Sequence, residues 1–128
     1  MHQIRVDRDL RILDVRFSGE PTPVDVGWMA ECVRHAILSL GEDAGSHTAL
    51  FDCTAVRSVA PGTIDHIRAS LPPGRARPLA ARRTAFVVEG ATERLQVERL
   101  ASVLPGMQIF ECRNAALAWL HAEGRQEP

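Results

Sequence analysis

From Gln3 to Asp7 polar and apolar residues alternate, with Ile4 and Val6 on one face, and a second alternating run follows from Leu10 to Phe17. A period of two marks strands, because successive side chains leave opposite faces of a sheet. The short polar link between the runs predicts an N-terminal hairpin. In the second run Leu13, Val15 and Phe17 share one face while Asp14 and Arg16 share the other, so part of that other face is expected to meet water.

The period changes after the turn at Ser18 to Pro23. Thr22-Pro23-Val24-Asp25 is a helix start: threonine caps, proline suits the first helical position, and an acid favours the positive end of the helix dipole. The helix is predicted to run to about Leu40, with Met29, Cys32, Val33, Ala36, Ile37 and Leu40 on its buried stripe. Trp28 lies off that stripe, which places it either on an exposed interface with Val24 or folded over the sheet edge. Gly41 to Ser46 reads as a solvated loop.

Thr48 to Cys53 is a short apolar run of the kind found in central strands, and a helix from about Pro61 to Leu71 follows it, with Ile64, Ile67 and Leu71 inward. Pro72 to Arg83 is a Pro-, Gly- and Arg-rich connection before another buried strand, Thr84 to Val88. In the next helix Val97, Leu100, Ala101 and Leu104 form the apolar stripe, with Arg94 and Glu98 paired outside it; Pro105-Gly106 stops it. Met107 to Phe110 is the last strand, and Asn114 is expected to cap a final helix carrying Leu117, Trp119 and Leu120 before a polar tail over 122–128. The order ββαβαβαβα predicts one α/β domain over 3–121. Its sheet would be mostly parallel, with right-handed crossovers and one antiparallel N-terminal edge strand.

Composition narrows the function. The chain has 128 residues and a formal net charge of −1, without the broad positive field that nucleic-acid binding uses. All fifteen cationic residues are arginine and tyrosine is absent, a bias that base composition of the coding DNA explains as readily as arginine-specific recognition. No apolar run approaches the ~20 residues of a membrane-spanning helix. The charged, alternating N-terminus does not resemble a signal peptide, so a cytoplasmic location is expected.

Candidate chemistry is sparse. Cys32, Cys53 and Cys112 are odd in number, widely spaced and without a C-x-x-C, which predicts neither a disulfide framework nor a zinc site. Cys32 and His35 stand three apart on one helix, but a metal needs further ligands, and none of His2, His47, His66 or His121 has a spacing that supplies them; no metal or cofactor is expected. Asp52-Cys53 ends a central strand, where open parallel sheets place active sites, with His66 the nearest base in sequence. The plainer reading is a buried thiol beside an aspartate that holds the turn through backbone hydrogen bonds. No Walker loop, G-x-S-x-G or G-x-G-x-x-G is present to favour an enzyme. Arg75, Arg77, Arg82 and Arg83 form a local cluster able to touch an anion.

The element order, "LDVRFSGEPTP" leading into the first helix, the turn "FDCTAVRSVAPGTID" and the block "ARRTAFVVEGATERLQVERLA" together resemble the STAS superfamily of sulfate-transporter and anti-sigma-factor-antagonist domains. Within it they are most similar to SpoIIAA-like, STAS/CRAL-TRIO-related single-domain bacterial proteins. The resemblance implies helices largely on one face of the sheet and a non-enzymatic protein that docks with an unidentified protein partner. The CRAL-TRIO likeness implies an alternative, a carrier or sensor of a small apolar or lipid-like ligand; an unrecognised enzyme is third, and a homodimer fits a partly open sheet face. Phosphorylatable members carry Asp-x-Ser-x-x-x-x-x-Asp-Ser-Ser-Gly after the central strand. Against that pattern Asp52 and Thr54 match, Ala60 replaces the second Asp, Pro61 and Gly62 replace the serines, and Thr63 stands where glycine is expected. The phosphoacceptor position is therefore Gly62, which has nothing to modify, and Thr63, one residue on, is the candidate substitute acceptor. Residues 52, 54 and 60–63 form the expected docking turn.

Overall fold

The computed structural model describes residues 2–59, 62–70, 81–100 and 106–125. Strands β1 (His2–Asp7) and β2 (Ile12–Gly19) precede helix α1 (Pro23–Leu38); then come β3 (Thr48–Val56), α2 (Thr63–Ser70), β4 (Thr84–Val87), α3 (Ala91–Glu98), β5 (Met107–Phe110) and α4 (Arg113–Arg125). This is the order the periodicities predict. The strands lie in the sequence β1-β2-β3-β4-β5, with β1 antiparallel to β2 and every other pair parallel. Ala60, Pro61, Leu71, Arg75, Arg77, Ala101 and Leu104 lie outside the described residues.

The predicted cap of α1 is formed in full. The Asp25 amide donates to Thr22 Oγ1 at 3.2 Å while the Thr22 amide donates to Asp25 Oδ2 at 3.0 Å, so each residue satisfies an amide the helix leaves open. The carboxylate accepts from the Thr22 hydroxyl as well, and these two bonds, from the Thr22 amide first and its hydroxyl second, hold the Asp25 carboxyl below its ordinary pKa. The helix stops at Leu38, two residues before the expected end, because Ser39 caps it and Leu40 turns inward beyond it. Val26 and Met29 are its fully buried positions; Cys32, Val33, Ala36 and Ile37 are half-buried. Gly27 sits in the interior of α1 with nothing within 4 Å of where a Cβ would stand. Gly27→Ala is therefore expected to stabilise the protein by up to ~1 kcal/mol, read as a higher urea midpoint with an unchanged slope.

Alternation divides the core between two faces. Leu13, Val15 and Ala49 pack with Val26 and Met29 of α1, and Phe86 and Val88 pack with Ile64 of α2 and Val97 and Leu100 of α3. On the opposite face Leu50, Ala85 and Val87 pack against α4, through Ala116 and Leu120. Three helices thus cover one face, and α4 covers the β3–β5 half of the other. The β1–β2 half of that second face carries Gln3, Arg5, Asp14 and Arg16, which line an open depression of about 120 Å³.

Two local expectations are corrected. Asn114 is not the cap of α4, because the helix begins at Arg113; the Ala115 amide instead points at Cys112 Sγ, 3.4 Å away. The loop after α1 is not wholly irregular: Gly41–Asp43 forms one 3-10 turn, with Arg11 3.7 Å from Asp43. His47, which follows that loop, is completely buried, and burial lowers its pKa, which favours the neutral ring.

Candidate functional site

Between β2 and β3 the register slips: Arg16 faces Asp52, but Ser18 faces Ala55, so two steps along β2 oppose three along β3. The extra residue bends the strand just past Asp52. The Thr54 amide and hydroxyl both donate to Asp52 Oδ1, at 3.0 and 2.7 Å. Asp52 thus satisfies locally an amide that the bulge takes out of the ladder.

The other Asp52 oxygen accepts from Arg113. This arginine opens α4 and reaches under the sheet to two carboxylates: Nη1 lies 3.1 Å from Asp52 Oδ2 and 3.2 Å from Asp14 Oδ1, and Nη2 donates to Asp14 Oδ2. Burial by itself would raise the Asp52 carboxyl, but the Thr54 hydrogen bonds, then the bond and charge from Arg113, outweigh it and hold the pKa below its ordinary value. The Asp14 hydrogen bond, ahead of the opposing effect of burial, raises that of Arg113. The three groups form one charge-assisted network joining β2, β3 and α4. Asp52 stands out in the sequence by its place at the end of a central strand, whereas Asp14 and Arg113 carry no local signal.

The strand-to-helix turn then reaches Gly62, which is exposed and has φ +82°. Its carbonyl accepts the first helical bond of α2, from the His66 amide at 2.9 Å. At this φ an L side chain is strained whatever space surrounds it. The structure places Thr63 differently from a docking or acceptor residue. Its side chain is only 2 % exposed, and its hydroxyl donates to the Pro21 carbonyl at 3.2 Å, pinning α2 to the segment before α1. Of the expected docking residues, Thr54 and Gly62 face solvent, Asp52 lies beneath them in the network, and Thr63 belongs to the packing.

The remaining candidates separate. Arg83 is committed to α4: its guanidinium stacks 4.6 Å from the centre of the Trp119 ring, and Nη1 donates to the Trp119 carbonyl. Arg82 is exposed, and its amide donates to the His47 carbonyl. Burial, with the Asp52 charge adding to it, pushes the Cys53 thiol up to about 12, the reverse of what a nucleophile needs. Cys32 is half-buried and His35 exposed, and among the described residues no three His, Cys, Asp or Glu side chains gather as metal ligands. Trp28 is 68 % and Val24 81 % exposed, one turn apart on α1, which settles them on the surface. Among the described residues no helix is long and apolar enough to cross a membrane.

A mixed five-stranded sheet wound in this order, with three helices on one face and one on the other, is a SpoIIAA-like α/β fold. A protein of the DUF3478 family from Shewanella loihica PV-4, described as having a SpoIIAA-like fold, superimposes with a TM-score of 0.65 at 20% identity, over 94% of this chain and 92% of its own. The unphosphorylated anti-sigma factor antagonist SpoIIAA gives 0.60 at 17% identity, over 99% and 100%. An anti-sigma factor antagonist from Mycobacterium paratuberculosis gives 0.50 at 15% identity, over 94% of each chain. No family model and no curated protein matches the chain.

Proposed function

We propose that this protein is a non-enzymatic regulatory module of the STAS type that docks a protein partner through the exposed turn between β3 and α2, without a phosphorylation switch in that turn. The observation that carries the reading is Gly62. Where the phosphorylatable domains it resembles hold a serine, this chain holds a residue with no side chain, in a backbone conformation suited to glycine. Two of the folds it shares belong to anti-sigma factor antagonists, which supports docking as the mode of action. The protonated Cys53 thiol favours an interaction module over an enzyme.

The test is photo-crosslinking in the native host, with the reactive group at Thr54 on the turn and, as control, at Glu42 on the loop that leads into the other end of β3. One partner captured from position 54 but not 42, whose purified form binds Thr54→Arg at least tenfold more weakly (about 1.4 kcal/mol), is the expected result. Equal capture from both positions would sink the docking turn. Phosphate on an intact turn peptide would sink the absence of a switch, and a copurified lipid in native mass spectrometry would favour the apolar carrier.

A further inference from the structure

Helix α1 is apolar on both sides. Val26, Met29, Val33 and Ile37 pack toward the sheet, whereas Val24, Trp28 and Leu38, the last 52 % exposed, are turned away from it. At 3.6 residues per turn these three fall on the outward side together with Gly27, Glu31 and His35. A surface helix ordinarily gives that side to polar residues. Gly27 is also unexplained within one chain. An interior glycine destabilises a helix, and here nothing within 4 Å of the Cβ position calls for one.

The outward side is its own complement. Val24, Gly27, Trp28 and Glu31 stand at i, i+3, i+4 and i+7, the corners of a hole that can receive one side chain of a facing helix, and the missing Cβ of Gly27 deepens it. Leu38 is the exposed apolar knob toward the other end of the same side. When a second α1 is laid against the first end for end, Leu38 of each enters the hole of the other. That register also sets Glu31 of each copy across from Arg34 and His35 of the other. Among the described residues none of these three is in an ion pair. Asp25, the other charged residue of α1, is held by the Thr22 cap. At the far end Arg11 lies 3.7 Å from Asp43 and Arg8 donates to the Ser39 carbonyl at 3.0 Å, so Glu42 shares that end with a cation. Copies running in the same direction would instead set Glu31 against Glu31, a like-charge contact that destabilises the pair.

We infer that two copies of this chain pair through antiparallel α1 helices, with Leu38 of each seated between Val24, Gly27, Trp28 and Glu31 of the other and Glu31 meeting Arg34 and His35. Shape and charge together choose a second copy as the occupant. Knob, hole, acid and base all lie on one helix at spacings that a single half-turn superimposes, and a two-fold interface uses the same patch on both subunits. The face does not include the turn between β3 and α2, and either reading can fail without the other.

Sedimentation velocity of the full chain over a range of concentrations tests this, and a reversible dimer is the expected result. Gly27→Leu fills the hole and should leave a monomer at concentrations where the wild type is dimeric. Leucine is the better helix former, and no atom of the same chain lies within 4 Å of its Cβ, so the fold is expected to hold; an unchanged circular dichroism spectrum confirms it. Glu31→Arg should weaken dimerisation roughly tenfold, because the dimer contains the charge contact twice and attraction becomes repulsion. The double variant Glu31→Arg/Arg34→Glu should recover it, a result that neither an unrelated partner nor a dimer through another surface would give. A wild type that stays monomeric up to about 1 mM overturns the inference. So does a dimer indifferent to either Gly27→Leu or Glu31→Arg, or one that the second substitution fails to restore.

Discussion

Arg113→Ala is expected to lower the free energy of unfolding by about 2–3 kcal/mol at neutral pH, below the full cost of breaking a deeply buried pair because the arginine keeps some contact with water. Without the guanidinium, Asp14 and Asp52 are left as two ionised carboxylates on neighbouring strands, partly out of water and facing the same space. The sign of the pH dependence follows from Asp52. Its folded-state pKa is depressed, so it contributes stability above its unfolded pKa, and that contribution is lost as acid titrates the folded carboxylate. In the variant the Thr54 hydrogen bonds to Asp52 remain, but the part of the depression that Arg113 causes is relieved, and protonation removes the repulsion between the two acids. The deficit should be largest near pH 7 and shrink below about pH 4. Urea unfolding at both pH values measures it, with Trp119 fluorescence as the signal in a Trp28→Phe background. Trp119 suits this because it packs on Phe110 and under Arg83. A deficit of the same size at both pH values would show that Arg113 acts by packing rather than by charge.

Gly62→Ser returns a hydroxyl to the expected phosphoacceptor position, and it is expected to cost about 1–2 kcal/mol. The cost does not come from crowding, since nothing lies within 4 Å of the new Cβ; it comes from φ +82°. A ranking makes the test specific. Asparagine, which tolerates left-handed backbone, should cost less than serine or alanine, and valine should cost most. Denaturant midpoints for the four variants check this order. A serine variant as stable as the wild type would mean that the turn relaxes to negative φ, and it would reopen the possibility that this scaffold can regain a switch.

The fold was legible because it is written in local periods. Alternation in "RILDVRFS" and the helical stripe of "RLQVERL" place strands and helices without knowledge of the rest of the chain, and Thr22-Pro23-Val24-Asp25 spells a capping box that the structure forms. The site was legible only in part. Asp52 could be chosen because strand ends are where open sheets put their functional residues, but Arg113 lies 61 residues from Asp52 and 99 from Asp14, and no short window joins them. The packing role of Thr63 was hidden for a related reason. A hydroxyl in a first turn looks like a cap or an acceptor, and only its distant partner, the Pro21 carbonyl, shows that it fastens one helix to another segment. Asn114 was a sound local choice of cap displaced by its neighbour. Starting α4 at Arg113 carries that side chain beneath the sheet, toward the two aspartates.

The contact that spans 99 residues also sets a time order. During synthesis β2 and β3 leave the ribosome long before Arg113 does, so Asp14 and Asp52 first meet as two unneutralised acids and remain so until the last helix is made. Until then Leu50, Ala85 and Val87 also lack their cover. A nascent chain stalled after β5 should therefore hold its α1-side face packed while the other face stays acidic and open, and the emergence of α4 closes both deficits, Arg113 neutralising the aspartates and Ala116 and Leu120 covering the apolar residues.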